Sequence, residues 1–249
     1  MSKHLACTLL AAALSLSAAS PALALDGEEI MALMDKSLTR ATDQYFIYEF
    51  VTEEKGKEPR QLKIEVTIKG EKWRRVEFLA PGDIKGMRTL ILDTDTIWTY
   101  MPAYRKVRRV ASHAKAQGFM GTALSHDEMA TVTYSPLYKG VLVSEDDKNW
   151  TVLGTRREGS GAPYAQVRFV IRKDCHQPTE LYYINNKGET VKSDIRTSFK
   201  CKQDVCNPRV MVVTDHTRND LKTTMVQRAW KMNTGVSDRF FTVRAIQRR

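Results

Sequence analysis

From residue 43 onward the chain alternates between apolar and polar positions with a period of two. In "LKIEVTI", Leu62, Ile64, Val66 and Ile68 fall on one side and charged or hydroxyl residues on the other, the pattern of a strand with one buried face. Comparable segments run over 43–53, 72–79, 87–92, 95–101, 106–111, 139–144, 150–157, 165–172, 179–185, 189–200, 208–215 and 222–232. Between them lie "EKGKE", "APGD", "MPAY", "NNKG" and "TRNDL", which supply Gly, Pro, Asn or Asp where the chain must reverse. Strands following one another through short turns predict an antiparallel meander. With little helix to cover two faces, such a sheet curls into a barrel or splits into a sandwich.

Two stretches break the alternation. Asp26 with Glu29 three residues on forms a capping-box pattern, and Ile30, Leu33, Met34 and Leu38 share one helical face, so the chain opens with an amphipathic helix. Alternation also stops over 112–138, where "SHDE" at 125–128 is a second capping-box pattern and predicts a short helix from His126. Such an excursion suits a lid or binding loop. Its apolar residues Phe119, Met120, Leu124 and Met129 cover something greasy or plug one end of a barrel; the pattern is compatible with both.

The first 24 residues carry Lys3, an apolar run from Leu5 to Leu16, and Ala22-Leu23-Ala24, the layout of a cleaved secretory signal. The expected mature chain is one domain over 25–249, without a lipid anchor because Cys7 stands near the start of the apolar region and not after it. Cys175, Cys201 and Cys206 then remain. Cys201 and Cys206 flank a tetrapeptide and could staple a hairpin, leaving Cys175 buried and free; the spacings are not those of a redox C-x-x-C pair or a zinc site. The formal net charge of +10 points to an anionic membrane face or an acidic envelope partner, export arguing against nucleic acid. His113, His126, His176 and His216 lie in no nucleophile elbow, zincin helix or phosphate loop. A non-enzyme needing no cofactor or metal is expected.

The segment Phe78 to Met129 carries "FLAPGDIKG", "WTYMPAYRKVRR" and "FMGT" followed by "SHDEM", and Val236 to Ile246 reads "VSDRFFTVRAI". In these pieces and their order the chain resembles the outer-membrane lipoprotein-sorting-like family, related to the periplasmic Lol carriers and to a spirochaetal phospholipid-binding lipoprotein. The resemblance implies a mainly β fold: a curved antiparallel sheet forming an incomplete, half-open barrel, with helices covering a concave apolar cavity for acyl chains. It further implies a periplasmic carrier of lipids or lipidated proteins, working with an inner-membrane exporter or an outer-membrane acceptor. The alternative is a sensor or adaptor of the same fold that binds without transporting.

On that reading Leu90, Leu92, Trp98, Tyr100, Phe119, Met120, Leu124 and Met129 form the cavity or its lid. Methionine suits a lid because it repacks against varied shapes. Arg105, Lys106, Arg108 and Arg109 are expected to meet lipid phosphate or an acidic partner at the rim, or else to be a solvated edge strand made basic against aggregation.

Overall fold

A computed structural model describes residues 25–93, 95–111 and 118–248; residues 1–24, where a secretory signal is expected, and residues 112–117 of the excursion lie outside them. The alternating segments become thirteen strands in the sheet order β6-β5-β4-β3-β2-β1-β13-β12-β11-β10-β9-β8-β7. The first meander is β1 (Asp43–Glu53), β2 (Arg60–Lys69), β3 (Trp73–Ala80), β4 (Arg88–Ile91), β5 (Ile97–Met101) and β6 (Lys106–Arg109). The second is β7 (Tyr138–Glu145), β8 (Asn149–Arg156), β9 (Gln166–Arg172), β10 (Pro178–Ile184), β11 (Thr190–Lys202), β12 (Val205–Asp215) and β13 (Leu221–Met232). Pairing of β1 with β13 joins the two, and every pairing is antiparallel.

A sheet this wide must curl under its own twist. Register shifts at Ile47/Tyr48 and Lys63/Ile64 add curvature in the middle of the first meander. The edges are β6 and β7, which do not pair, so the barrel stays half open. Neither a closed barrel nor a two-sheet sandwich forms. Because β6 and β7 are consecutive in the chain but stand at opposite edges, the only link between them, the non-alternating excursion, has to travel from one edge to the other. Topology alone therefore makes that segment a candidate cover.

The concave face follows from the register. Phe46 pairs with Val66 and Val66 with Val76, while Phe50 pairs with Met225 and Met225 with Met211. These residues share a side and build one core with Phe78, Phe119 and Ala123. At the other end α1 (Gly27–Leu38), closed by its Asp26/Glu29 capping box, buries Ile30, Met31 and Met34 against Val152, Phe169 and Leu181. The helix lies directly on β7 because glycines face each other there: a Cβ on Gly140 would sit 2.5 Å from the Gly27 carbonyl oxygen.

Among the described residues, the opposite, convex face is covered near β3–β6. There α3 (Val243–Gln247) and the segment before it place Val236, Phe240, Phe241 and Ile246 over Trp73, Leu90, Trp98 and Tyr100. Asp43 anchors the start of this tail. Its carboxylate accepts from the Thr234 hydroxyl (2.6 Å) and the Thr234 and Gly235 N–H groups (2.8 and 2.9 Å). Burial pushes its pKa up, but those donors outweigh burial and hold it below the usual carboxylate range.

The Cys201–Cys206 pair faces across β11 and β12 as a disulfide. Cys175 is half-buried, not buried as expected, because it lies in the β9–β10 turn rather than in a strand.

Candidate functional site: a lidded cavity

The concave face is not filled. Between the two meanders, α1 and the excursion lies a cavity of about 200 Å³. Phe46, Tyr48 and Phe50 of β1, Ile64, Val66 and Ile68 of β2, and Met211 and Met225 of β12 and β13 line it from the sheet. Leu124, Met129, Val132 and Tyr134 line it from the excursion. This volume falls below the roughly 300–1,000 Å³ of ordinary ligand pockets. An acyl chain of membrane length therefore requires the cover to move.

The cover is built from a 3-10 turn, Phe119–Gly121, and a short helix α2 (His126–Ala130) whose Ser125/Glu128 capping box forms as the sequence predicts. Backbone φ is positive at Met120 (49°) and Gly121 (73°), and the reversal lets the Phe119 N–H reach the Leu124 carbonyl at 2.6 Å. Phe119 stacks on Phe78 at 5.6 Å and meets the His126 ring edge-on at 5.3 Å.

Side chains from the barrel hold the cover through its backbone. Arg74 of β3 donates to the carbonyls of Met129 and, at 3.0 Å, Thr131. Arg218 donates to Thr122 (3.0 Å), Arg60 to Gly121, and Thr223 accepts from the Ala123 N–H (2.9 Å). Asp35 of α1 accepts the N–H groups of Tyr134 and Ser135 at 2.8 and 2.7 Å, although burial raises its pKa above the usual carboxylate range. Glu128 of α2 meets Lys192 of β11 at 2.7 Å in a buried ion pair and also accepts from the Tyr164 hydroxyl.

One strip of the cavity wall is polar. Arg74, Asp194, Arg196 and Gln177 line it together with Tyr48 and Tyr134. Arg196 grips one oxygen of Asp194 with Nε and Nη2 at 3.0 and 2.7 Å. Burial lowers the Arg196 pKa, but the Asp194 charge more than restores it, and the net shift is upward. Arg74 is different. Burial, aided by the like charge of Arg196, brings its pKa down to about 10, so it stays a cation at neutral pH. Its partly exposed surface opens onto the cavity.

The expected site residues divide. Leu124 and Met129 line the cavity, and Phe119 and Met120 pack in the core beneath the cover. Leu90, Leu92, Trp98 and Tyr100 are corrected: they lie on the convex face, under the C-terminal segment. The reason is register. Leu90 pairs with Trp98 and with Arg75, and Arg75 is on the opposite side of β3 from the cavity-facing Arg74, Val76 and Phe78. Arg105, Lys106, Arg108 and Arg109 are exposed at the β5–β6 hairpin, on the sheet edge, and none lines the cavity. Arg109 donates to the Asp95 carbonyl at 2.9 Å.

Arg74, Asp194 and Arg196 were not anticipated, although a signal exists. In "KWRRVEF" alternation with Val76 and Phe78 places Arg74 among apolar neighbours on the buried face, where an arginine demands a reason.

With this geometry in view, residues 70–248 match a family model described as an uncharacterized protein. No curated protein sequence matches the chain. Solved structures share the fold. A DUF1329 family protein from Desulfovibrio piger superposes with TM-score 0.81 at 20% identity, covering 88% of this chain and 97% of that one. A putative outer membrane lipoprotein-sorting protein domain from Vibrio parahaemolyticus gives 0.78 at 18%, covering 89% and 98%. A LolA superfamily protein from Nitrosomonas europaea gives 0.73 at 16%, covering 88% and 98%. The chain belongs to the family of that model, and its half-open barrel is that of the outer-membrane lipoprotein-sorting-like proteins.

Proposed function

We propose that the protein is a periplasmic carrier that shields the acyl chains of a lipid or a lipidated protein between envelope membranes. The observation that carries this reading is the apolar cavity roofed by a segment held through its backbone rather than sealed by sheet pairing. Each methylene taken from water is stabilised by roughly 0.8 kcal/mol, so a concave apolar face is a sufficient container. Release needs a cover that opens, and hydrogen bonds to carbonyls can be exchanged one by one. The named lipoprotein-sorting and LolA relatives support the same reading through their shared fold. The signal-like 1–24 supports the compartment.

Ile68→Trp tests it by filling the cavity from a half-buried wall position of β2. Uptake of a fluorescent fatty acid by the mature chain is expected to fall at least tenfold with the fold unchanged by circular dichroism. Equal uptake by both proteins would remove the cavity from the function and leave the basic β5–β6 hairpin as the place to look for an adaptor's partner.

A further inference from the structure

The polar strip of the cavity holds a guanidinium that no carboxylate meets. Among the described side chains, the buried polar atoms without a hydrogen-bond partner are Arg74 Nε, His126 Nδ1, Gln177 Oε1 and Asp194 Oδ1. Three of these belong to residues that line the one cavity. The ionised groups around it are Arg74, Arg196, Asp194 and Glu128. Asp194 is matched by Arg196 and Glu128 by Lys192, which leaves the Arg74 guanidinium. Among the described residues its hydrogen bonds go to two carbonyls and none to a carboxylate. A buried charge without a counter-ion is expensive, and proteins ordinarily pair it. A guanidinium fork is matched geometrically by a carboxylate or a phosphate.

We propose that the cavity selects an amphiphile with an anionic head, whose oxyanion pairs with Arg74 while its tail lies along Phe46, Phe50, Ile64, Val66 and Met225. The inference rests on the carrier reading and names its ligand class.

The test compares oleate, its uncharged methyl ester and an oleoyl lysophosphatidic acid on the mature protein by native mass spectrometry and titration calorimetry. Inorganic phosphate is run alone as a control for a free-anion site. Both charged amphiphiles or one of them should bind at least tenfold more tightly than the ester, and the tighter one names the head. Arg74→Gln should erase that preference, bringing the affinities of the charged amphiphile and the ester to within a factor of about two of each other. Failure of both oleate and the lysophosphatidic acid to outbind the ester on the unaltered protein would overturn the anionic head and leave the carrier reading intact; this comparison needs no variant to fold. Loss of both ligands alike in Arg74→Gln would assign Arg74 to latching or packing alone and likewise overturn the proposal. Phosphate binding as tightly as the phosphate amphiphile would overturn the role of the tail. Binding of none of the probes would sink the carrier reading together with this one.

Discussion

Arg74 and Arg75 are neighbours in one strand and opposites in environment. Arg75 points to the convex face, where its Nη2 meets Glu77 at 3.2 Å and its guanidinium lies 4.1 Å from the Phe240 ring centroid. Arg88, from the next strand, completes that cluster, holding both Glu77 oxygens at 2.8 and 3.0 Å and donating to the Ile246 and Arg248 carbonyls. Every charge there has a partner supplied by the protein. Arg74, one residue earlier, turns into the cavity and finds backbone oxygens of a movable segment. The first arrangement glues the C-terminal segment to the sheet, and the second leaves a charge available. The same residue type thus serves closure on one face and exchange on the other.

The comparison breaks most readily at Glu77. Glu77→Gln strands two largely buried guanidiniums and should cost about 3 kcal/mol, the low end for breaking a buried pair, because Glu77 keeps 23% of its side-chain exposure. At 2–4 °C per kcal/mol for a chain of this size, melting should fall by roughly 6–12 °C, measurable by calorimetry; no change would mean the cluster is incidental. The cluster also has a pH signature. Burial raises the Glu77 pKa, but the Arg88 hydrogen bond and the charges of Arg88 and Arg75 outweigh it, and the pKa ends below its ordinary value. Its contribution is therefore complete above about pH 4.3 and is lost as pH falls through the lowered folded-state value.

Arg74→Leu should do the reverse. Replacing a half-buried cation that has no carboxylate partner by an apolar side chain of similar size should change stability by no more than about 1 kcal/mol in either direction. Amide exchange over 119–131 should nevertheless quicken several-fold, as the cover loses two anchors. Unchanged exchange there would show that Arg60, Arg218 and Asp35 suffice to hold it.

The smallest expected effect concerns His126, whose ring packs under the cover with Nδ1 unpartnered. Burial lowers its pKa, with Asp127 opposing. A lowered folded-state value means the charged form disfavours the packed state, so the cover should loosen progressively below about pH 6.5. Exchange over 119–131 should quicken by less than threefold between pH 7.5 and 6 after correction for intrinsic rates. His126→Gln should flatten that response, and an equal response in the variant would assign it to another group.

The period-two pattern, the turn residues and the two capping boxes were enough to place the thirteen strands, α1 and α2, because each is decided within a few residues by backbone geometry and local hydrogen bonding. The half-open barrel entered through the family resemblance; alternation alone left a barrel and a sandwich equally open. Which face of each strand looks into the cavity was not legible. Trp98 and Tyr100 share a side by alternation, yet whether that side is concave depends on four successive strand registers counted from β1, each able to invert the answer. The C-terminal segment, by settling on the convex face, gave those aromatics a second apolar shelter that no periodicity announces. Strand existence is a property of the local sequence. The cavity, its cover and the lone guanidinium within it arise from residues as far apart as Arg74, Thr131 and Asp194, brought together only when the β1–β13 pairing joins the two meanders.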